Sequence, residues 1–418
     1  MSEKKNTGKK AVIAVIVIAL IVVIIALVAV ISGKSKKGGS KSATEAGTEV
    51  GSETMRSGQF DIDYSKQVTK LADYSGVAIT VSNDYEINDT AKQTYLTNVL
   101  QSGADAYKQV TDRDTVADGD YVKVDYKGYK DGKAFDGGSA TDVLLDVTNN
   151  SQVGGSSFID GFTKPLIGAK VGDKVKGDVT FPEDYGNDDL NGQTVTFEYT
   201  VKGIYSADPV ALADMTDEQV NTVFGKAGVT TNAQLTTQIE KDLKQQLYSA
   251  EVDKIKSYMI ENSTVEIPDE YLQARLNEYI ASFTKENVKD GQTLKKYLKS
   301  NYNMTVDQAT EKWKENLTDQ IKTEFIFGLI AEKENIKMDD DAFNSYVDYI
   351  VSASNGQFSK ASEVYKYFGS GHKDEGKTYL KNQYLVNKAI DTVTEKANVT
   401  FEDGSAAPDT SSGSADAE

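Results

Sequence analysis

Two stretches of strict alternation constrain this chain more than any other feature. Val122, Val124 and Tyr126 alternate with Lys123, Asp125 and Lys127, and Val195, Phe197, Tyr199 and Val201 alternate with Thr196, Glu198 and Thr200. A period of two puts each set on its own face, so both stretches predict half-buried antiparallel strands. Asp131-Gly132 lies between two strand-like runs. That pair predicts a hairpin, because both residues accept the positive φ of a tight two-residue turn.

After Tyr205 the period changes. Thr216-Asp217-Glu218-Gln219 and Thr305-Val306-Asp307-Gln308 have the spacing of capping boxes. Leu272, Leu276, Tyr279, Ile280 and Phe283 recur on one helical face, and Phe325, Ile326, Leu329 and Ile330 mark another. Pro268 sits where a helix opens and a proline is tolerated. The fold class read from these patterns is α+β: an antiparallel sheet followed by an all-α region.

Ala11 to Ile31 is an unbroken apolar run of 21 residues. As a helix it would span about 31 Å, the thickness of a hydrocarbon core, which predicts a retained N-terminal transmembrane helix over residues 11–32. Lysines flank the run on both sides (Lys4, Lys5, Lys9 and Lys10 before it, Lys34, Lys36, Lys37 and Lys41 after it), so their count leaves orientation open. A first apolar segment behind a short basic leader is expected to stay N-in. The expected localisation is therefore the cell membrane, single-pass, with the bulk of the chain extracytoplasmic. The domain reading is a basic leader over 1–10, the membrane helix over 11–32 and a flexible tether over 33–59 rich in Gly, Ser and Thr. A linker arm over 60–114, a sheet domain over 115–205, a helical domain over 206–402 and a tail of disorder composition over 403–418 complete it.

Composition removes several kinds of chemistry. Charge totals 46 basic against 64 acidic side chains, or −18, which repels phosphate backbones and argues against nucleic acid as a partner. No cysteine is present, so disulfides, thiol catalysis and cysteine-ligated zinc are excluded. His372 is the single histidine and excludes a two-histidine metal site. No metal or cofactor is expected.

Several ordered segments carry a family resemblance. They are Val124-Asp125-Tyr126-Lys127-Gly128-Tyr129, Asp131-Gly132-Lys133-Ala134-Phe135-Asp136, and Phe158-Ile159-Asp160-Gly161-Phe162 running on to Gly168. Gly172-Asp173-Lys174-Val175, Phe181-Pro182-Glu183-Asp184-Tyr185-Gly186 and Val195-Thr196-Phe197-Glu198-Tyr199 follow. In this order they resemble an FKBP-type peptidyl-prolyl isomerase domain of the branch inserted in trigger factor, an antiparallel sheet wrapped on a short helix. Val265-Glu266-Ile267-Pro268-Asp269-Glu270-Tyr271-Leu272 and the helices to Val399 resemble trigger factor's C-terminal domain, a fold shared with SurA-type chaperones. The basic Gly-Phe-Arg-x-Gly-Lys loop of trigger factor's ribosome-docking domain does not occur in the sequence, so no ribosome binding is expected.

The resemblance implies a site. Tyr126, Phe135, Asp136, Phe162 and Tyr185 would be catalytic, with Phe162 as the floor under the proline ring, Tyr185 offering its hydroxyl and Asp136 interacting with Tyr126. Phe158, Ile159, Leu190 and Phe197 would bind substrate, with the Ile159 amide available to a peptide carbonyl. The implied function is a membrane-anchored peptidyl-prolyl isomerase and chaperone for unfolded or nascent exported polypeptides with X-Pro bonds. The alternative is a non-catalytic holdase whose helical arms alone bind clients.

Overall fold

The computed structural model describes residues 55–100, 106–289 and 291–410. The described residues divide into two compact units, one within Ile87–Leu243 and the other formed by residues 55–86 together with 244–410. The helix Asn232–Asn262 begins in one unit and ends in the other.

The Ile87–Leu243 unit is built on an antiparallel sheet. Its spine is the strand Thr194–Pro209, which pairs with Tyr121–Lys130 along one side and with Lys174–Thr180 and Tyr107–Gln109 along the other. Tyr121–Lys130 pairs in turn with Lys133–Asp146, and that strand with Ser151–Gln152. The predicted alternation holds: Val122, Val124, Val195, Phe197, Tyr199 and Val201 are all buried, and the residues between them are not. Asp131 and Gly132 form the hairpin turn, with φ of 50° and 74°. Two positive φ values in a two-residue loop twist the chain as the flanking strands do.

Against the inner face lie Phe162, Leu166 and Val116, with Phe181 and Leu190 closing the core. The short helix expected here is only a 3-10 turn, Lys164–Leu166. Ile167 is already extended and Gly168 has a φ of 85°, so the chain leaves the helical region before the turn can propagate into an α-helix. A second core of the same unit joins the helix Asp89–Leu100 to Val210, Met215, Val220 and Phe224. Thr216 and Gln219 form the predicted capping box there.

The other unit is mainly helical. Its centre is the helix Val306–Lys333, opened by the predicted Thr305–Gln308 capping box. From Glu324 to Ala331 this helix is buried without a break, as a helix enclosed on all sides must be. Part of the segment read as a linker arm is built into this unit: Val68–Lys70 pairs with Thr264–Val265, and Ala78–Val81 runs parallel to Asn398–Phe401. Residues 403–410, read as disorder composition, make defined contacts, and the buried Thr410 hydroxyl donates to Glu251.

The membrane helix expected over 11–32 lies outside the described residues. Among the described residues no helix is long and apolar enough to cross a membrane.

One buried ion pair ties three helices of this unit together. Arg275 on Asp269–Asn287 donates to both oxygens of Glu324 on Val306–Lys333, at 2.8 and 3.1 Å. The same carboxylate accepts from Gln320, and from Tyr379 on Lys373–Glu395, while the Arg275 guanidinium lies over the rings of Tyr271 and Tyr379. A pair this buried costs little while complete and much when halved. Arg275→Met is expected to lower stability by about 3–5 kcal/mol, and adding Glu324→Leu should restore most of it. Urea unfolding of the full chain, followed by helical circular dichroism, checks this. An unchanged midpoint in the single variant would contradict it.

Candidate functional site

The hairpin that opens the sheet also builds the site. Lys127 pairs with Ser139 and Tyr129 with Ala134, so the four residues Phe135–Gly138 stand opposite Gly128 alone. The excess chain bulges out of the ladder, as bulges do where a side chain is re-aimed. It carries Phe135 and Asp136 to the rim of a cavity. Gly128 makes the arrangement possible: a Cβ there would sit 2.7 Å from the rings of both Phe135 and Phe197.

The cavity measures about 780 Å³ and belongs wholly to the sheet unit. All nine residues implied by the resemblance line it: Tyr126, Phe135, Asp136, Phe158, Ile159, Phe162, Tyr185, Leu190 and Phe197. Phe162 is its floor, only 2% exposed. Its ring stacks on Phe158 at 4.3 Å and meets Tyr126, Phe197 and Tyr199 edge-on at 5.0, 4.8 and 5.4 Å. Tyr185 leans on Phe181 at 4.5 Å and stays 48% exposed, leaving its hydroxyl at the mouth. The Ile159 amide donates to no protein group among the described residues and is free to meet a peptide carbonyl.

One expected contact is not made. Asp136 lines the cavity, but among the described residues no hydrogen bond joins it to Tyr126. The bulge holds Asp136 exposed at the rim, whereas Tyr126 is half-buried against Phe162. Burial pushes the Tyr126 phenol up from its ordinary value, and the nearby Tyr185 adds to this. Asp136 and Asp160 are the charged groups among the lining residues, and no histidine, cysteine or lysine lines the cavity.

Two organising residues escaped the sequence reading. Asn150 holds the loop that carries the floor: its side-chain amide donates to the carbonyls of Phe158 and Ile159 at 3.1 and 2.9 Å, and its side-chain oxygen accepts from the Thr163 amide and hydroxyl. It does so from a left-handed backbone with φ of 49°, which asparagine tolerates better than most residues. Tyr199, read only as a core strand residue, donates its buried hydroxyl to the Phe162 carbonyl at 2.6 Å. The Asn149-Asn150 pair after a strand was the available signal for the first; the second had none, because its partner lies 37 residues away.

Comparison with known proteins agrees with this geometry. The family profile for FKBP-type peptidyl-prolyl cis-trans isomerase matches residues 113–202, and that for the bacterial trigger factor protein C-terminus matches residues 230–395. The chain is 29% identical to the trigger factor of Agathobacter rectalis over 329 residues, 78% of this chain and 69% of that protein. The chain is a trigger factor relative. A second trigger factor, from Acetivibrio thermocellus, is 27% identical over 338 residues, 80% of this chain and 74% of that one. A solved structure concerned with promiscuous substrate recognition by the trigger factor chaperone is 19% identical with a TM-score of 0.40, covering 78% of this chain and 72% of that one.

The trigger factor kinship corrects the expected localisation. Single-pass anchoring in the cell membrane with an extracytoplasmic bulk does not stand, because the proteins this chain aligns with along most of its length are trigger factors. No described helix offers a membrane span in its place.

Asn150→Ala removes the side chain that fastens the floor loop and leaves a residue less suited to positive φ. Amide exchange of Thr163 is expected to speed up at least about tenfold, since an unmade buried hydrogen bond costs about 1–3 kcal/mol. Hydrogen-exchange NMR reads this residue directly, and unchanged protection would refute the role given to Asn150.

Proposed function

We propose that the chain is a folding helper: its sheet unit catalyses cis–trans isomerisation of X-Pro bonds, and its helical unit holds unfolded polypeptide. The observation that carries the first half is the aromatic cavity floored by Phe162. Rotation about an X-Pro amide is slow because it breaks partial double-bond character, and it needs no nucleophile, metal or proton shuttle. A site accelerates it by binding the twisted amide better than either planar form. A thousandfold acceleration requires only about 4 kcal/mol of such preference.

Each part of the cavity has a place in that scheme. Phe162, with Tyr126 and Phe197 edge-on around it, offers a flat apolar floor to the proline ring. Phe158 and Ile159 form a wall, with the Ile159 amide facing the task of orienting the carbonyl. Apolar walls strip water from that carbonyl, which weakens conjugation in the amide. Tyr185 at the mouth and Leu190 opposite would hold the flanking peptide, and Asp136 at the rim would lie beside the twisted bond. Nucleic acid is not among the proposed partners, given the charge of −18.

Isomerisation of an X-Pro peptide should be catalysed by the full chain. Phe162→Ala is expected to lower kcat/KM at least about tenfold, the scale of removing a large apolar contact. Tyr185→Phe should act more mildly, through the loss of one hydrogen bond. The rate should be flat from about pH 6 to about 8, because no histidine lines the cavity and the Tyr126 phenol is pushed upward. A protease-coupled or NMR exchange assay measures all three. No catalysis by the folded wild type would leave a holdase acting through its helices alone.

A further inference from the structure

A second concave site lies in the helical unit, and the chain itself fills it. The segment Arg56–Phe60 crosses a groove whose walls come from the helices Asp269–Asn287, Val306–Lys333 and Lys373–Glu395. Arg56 donates to both oxygens of Glu375, through Nε at 3.1 Å and a terminal nitrogen at 2.6 Å. Ser57 donates its amide and its hydroxyl to the two oxygens of Glu278, at 2.9 and 2.6 Å. Gly58 passes so close that a Cβ there would lie 2.8 Å from the Glu375 side chain. Phe60 sets its ring edge-on to Tyr271 at 5.5 Å. A cavity of about 220 Å³ remains in the groove, lined also by Phe325, Phe368 and Tyr379.

The way this segment is held distinguishes it from the rest of the unit. Its main-chain hydrogen bonds lie within the 3-10 turn Ser57–Gln59 apart from the Ser57 amide on the Glu278 side chain, and among the described residues none joins residues 56–63 to a main-chain group of the helices. Just beyond it Ile62 and Tyr64 pack against the helical core, Tyr64 with its ring beside Phe325 and Gly328, and the pairing of Val68–Lys70 with Thr264–Val265 follows. The seat is thus made of side chains: a fork of two charge-assisted bonds, a serine clamp and one aromatic contact. Glu278 and Glu375 have no other cationic partner within ion-pair distance among the described residues. If the segment lifts, it uncovers a carboxylate pair beside an apolar, aromatic hollow.

We propose that this groove is a peptide-binding site occupied in cis by Arg56–Phe60, and that it accepts in trans an unfolded polypeptide able to take the same turn, with a cation, a small residue two places on, and an aromatic ring four places on. The resident segment supplies the recognition pattern. Arginine suits Glu375 because its planar fork matches a carboxylate, glycine is required at the close approach, and the aromatic ring docks on Tyr271. A tethered segment holds such a groove at a high effective concentration, so a client must compete with it. Apparent affinity for the client falls by the fraction of time the groove is open. The chain's own strap therefore sets a threshold that only matching or multiply attached clients pass. This deepens the reading of the helical unit as a holder of unfolded polypeptide and rests on it; the aromatic cavity of the sheet unit shares none of the lining residues.

The test uses the full chain and a fluorescein-labelled peptide with the sequence of residues 55–64, followed by anisotropy. The Arg56→Glu, Phe60→Ala double variant should bind this peptide at least about tenfold more tightly than wild type. Arg56→Gln, a milder change confined to a part-exposed strap residue, should give a smaller gain in the same direction. Adding Glu375→Arg to the double variant should abolish binding, and a labelled peptide with Glu for its arginine and Ala for its phenylalanine should not bind at all. Equal affinity of wild type and both folded variants, with unchanged circular dichroism, overturns the proposal. A parallel titration with a reduced, carboxymethylated unfolded protein separates the two readings. Binding of that protein without peptide binding sinks the strap alone, whereas binding of neither sinks the holding role as well.

Discussion

Phe162 is the residue on which the sheet unit's organisation turns. Four aromatic rings meet it, those of Tyr126, Phe158, Phe197 and Tyr199. Its own carbonyl is held by the Tyr199 hydroxyl, so backbone and ring are fixed from the same direction. Such a ring is at once core and floor. The Phe158 ring stacks on one of its faces, other rings meet it edge-on, and Phe162 lines the base of the cavity while only 2% exposed. Edge-to-face contacts around it add about 0.5–1.5 kcal/mol per pair beyond simple burial. The floor is therefore rigid, which is what preferential binding of a twisted amide requires, since a soft floor would fit the planar forms equally well.

The two units use charge in opposite ways. In the sheet unit the cavity is nearly free of titratable groups apart from its rim, in keeping with the proposed isomerisation, which transfers no proton. In the helical unit a complete Arg275–Glu324 pair is buried where three helices meet, and a second pair, Arg56–Glu375, is half-exposed where a strap meets a groove. Burial makes the first pair a structural commitment, because either partner alone would be stranded. Partial exposure makes the second reversible, because water can take over from either partner. Position in the unit, more than the chemistry of the pairs, separates a permanent joint from a releasable one.

Much of the sheet was legible in the sequence because strand alternation and the Asp131-Gly132 turn are local signals. The buried series Val122, Val124 and Val195 through Val201 follows directly from a period of two. The implied cavity residues also meet around one space, although periodicity alone would have assigned Phe197 to the core and said nothing of Phe135. What was not legible depends on long-range geometry. The displacement of Phe135–Gly138 opposite Gly128 is a mismatch between two strands, invisible in either one. Asp136 consequently sits at the rim, clear of Tyr126, and the expected helix shrinks to a turn at Pro165. The pairing of Val68–Lys70 with Thr264–Val265 joins residues nearly two hundred positions apart, so the first part of the arm read as a linker lies in the helical unit. The apolar run over 11–31 remains a feature of the sequence, but the inference from it to a membrane localisation is overturned by the chain's kinship with trigger factors.

The most direct test of the central claim is where a prolyl peptide docks. Intermolecular NOEs between the proline ring protons of a short X-Pro peptide and the full chain, with aromatic side chains selectively labelled, would locate it. The account predicts NOEs to the rings of Phe162, Tyr126 and Phe197, with the Ile159 amide resonance shifting on titration. Proline contacts confined to the helical unit, with those three rings and that amide unmoved, would contradict it.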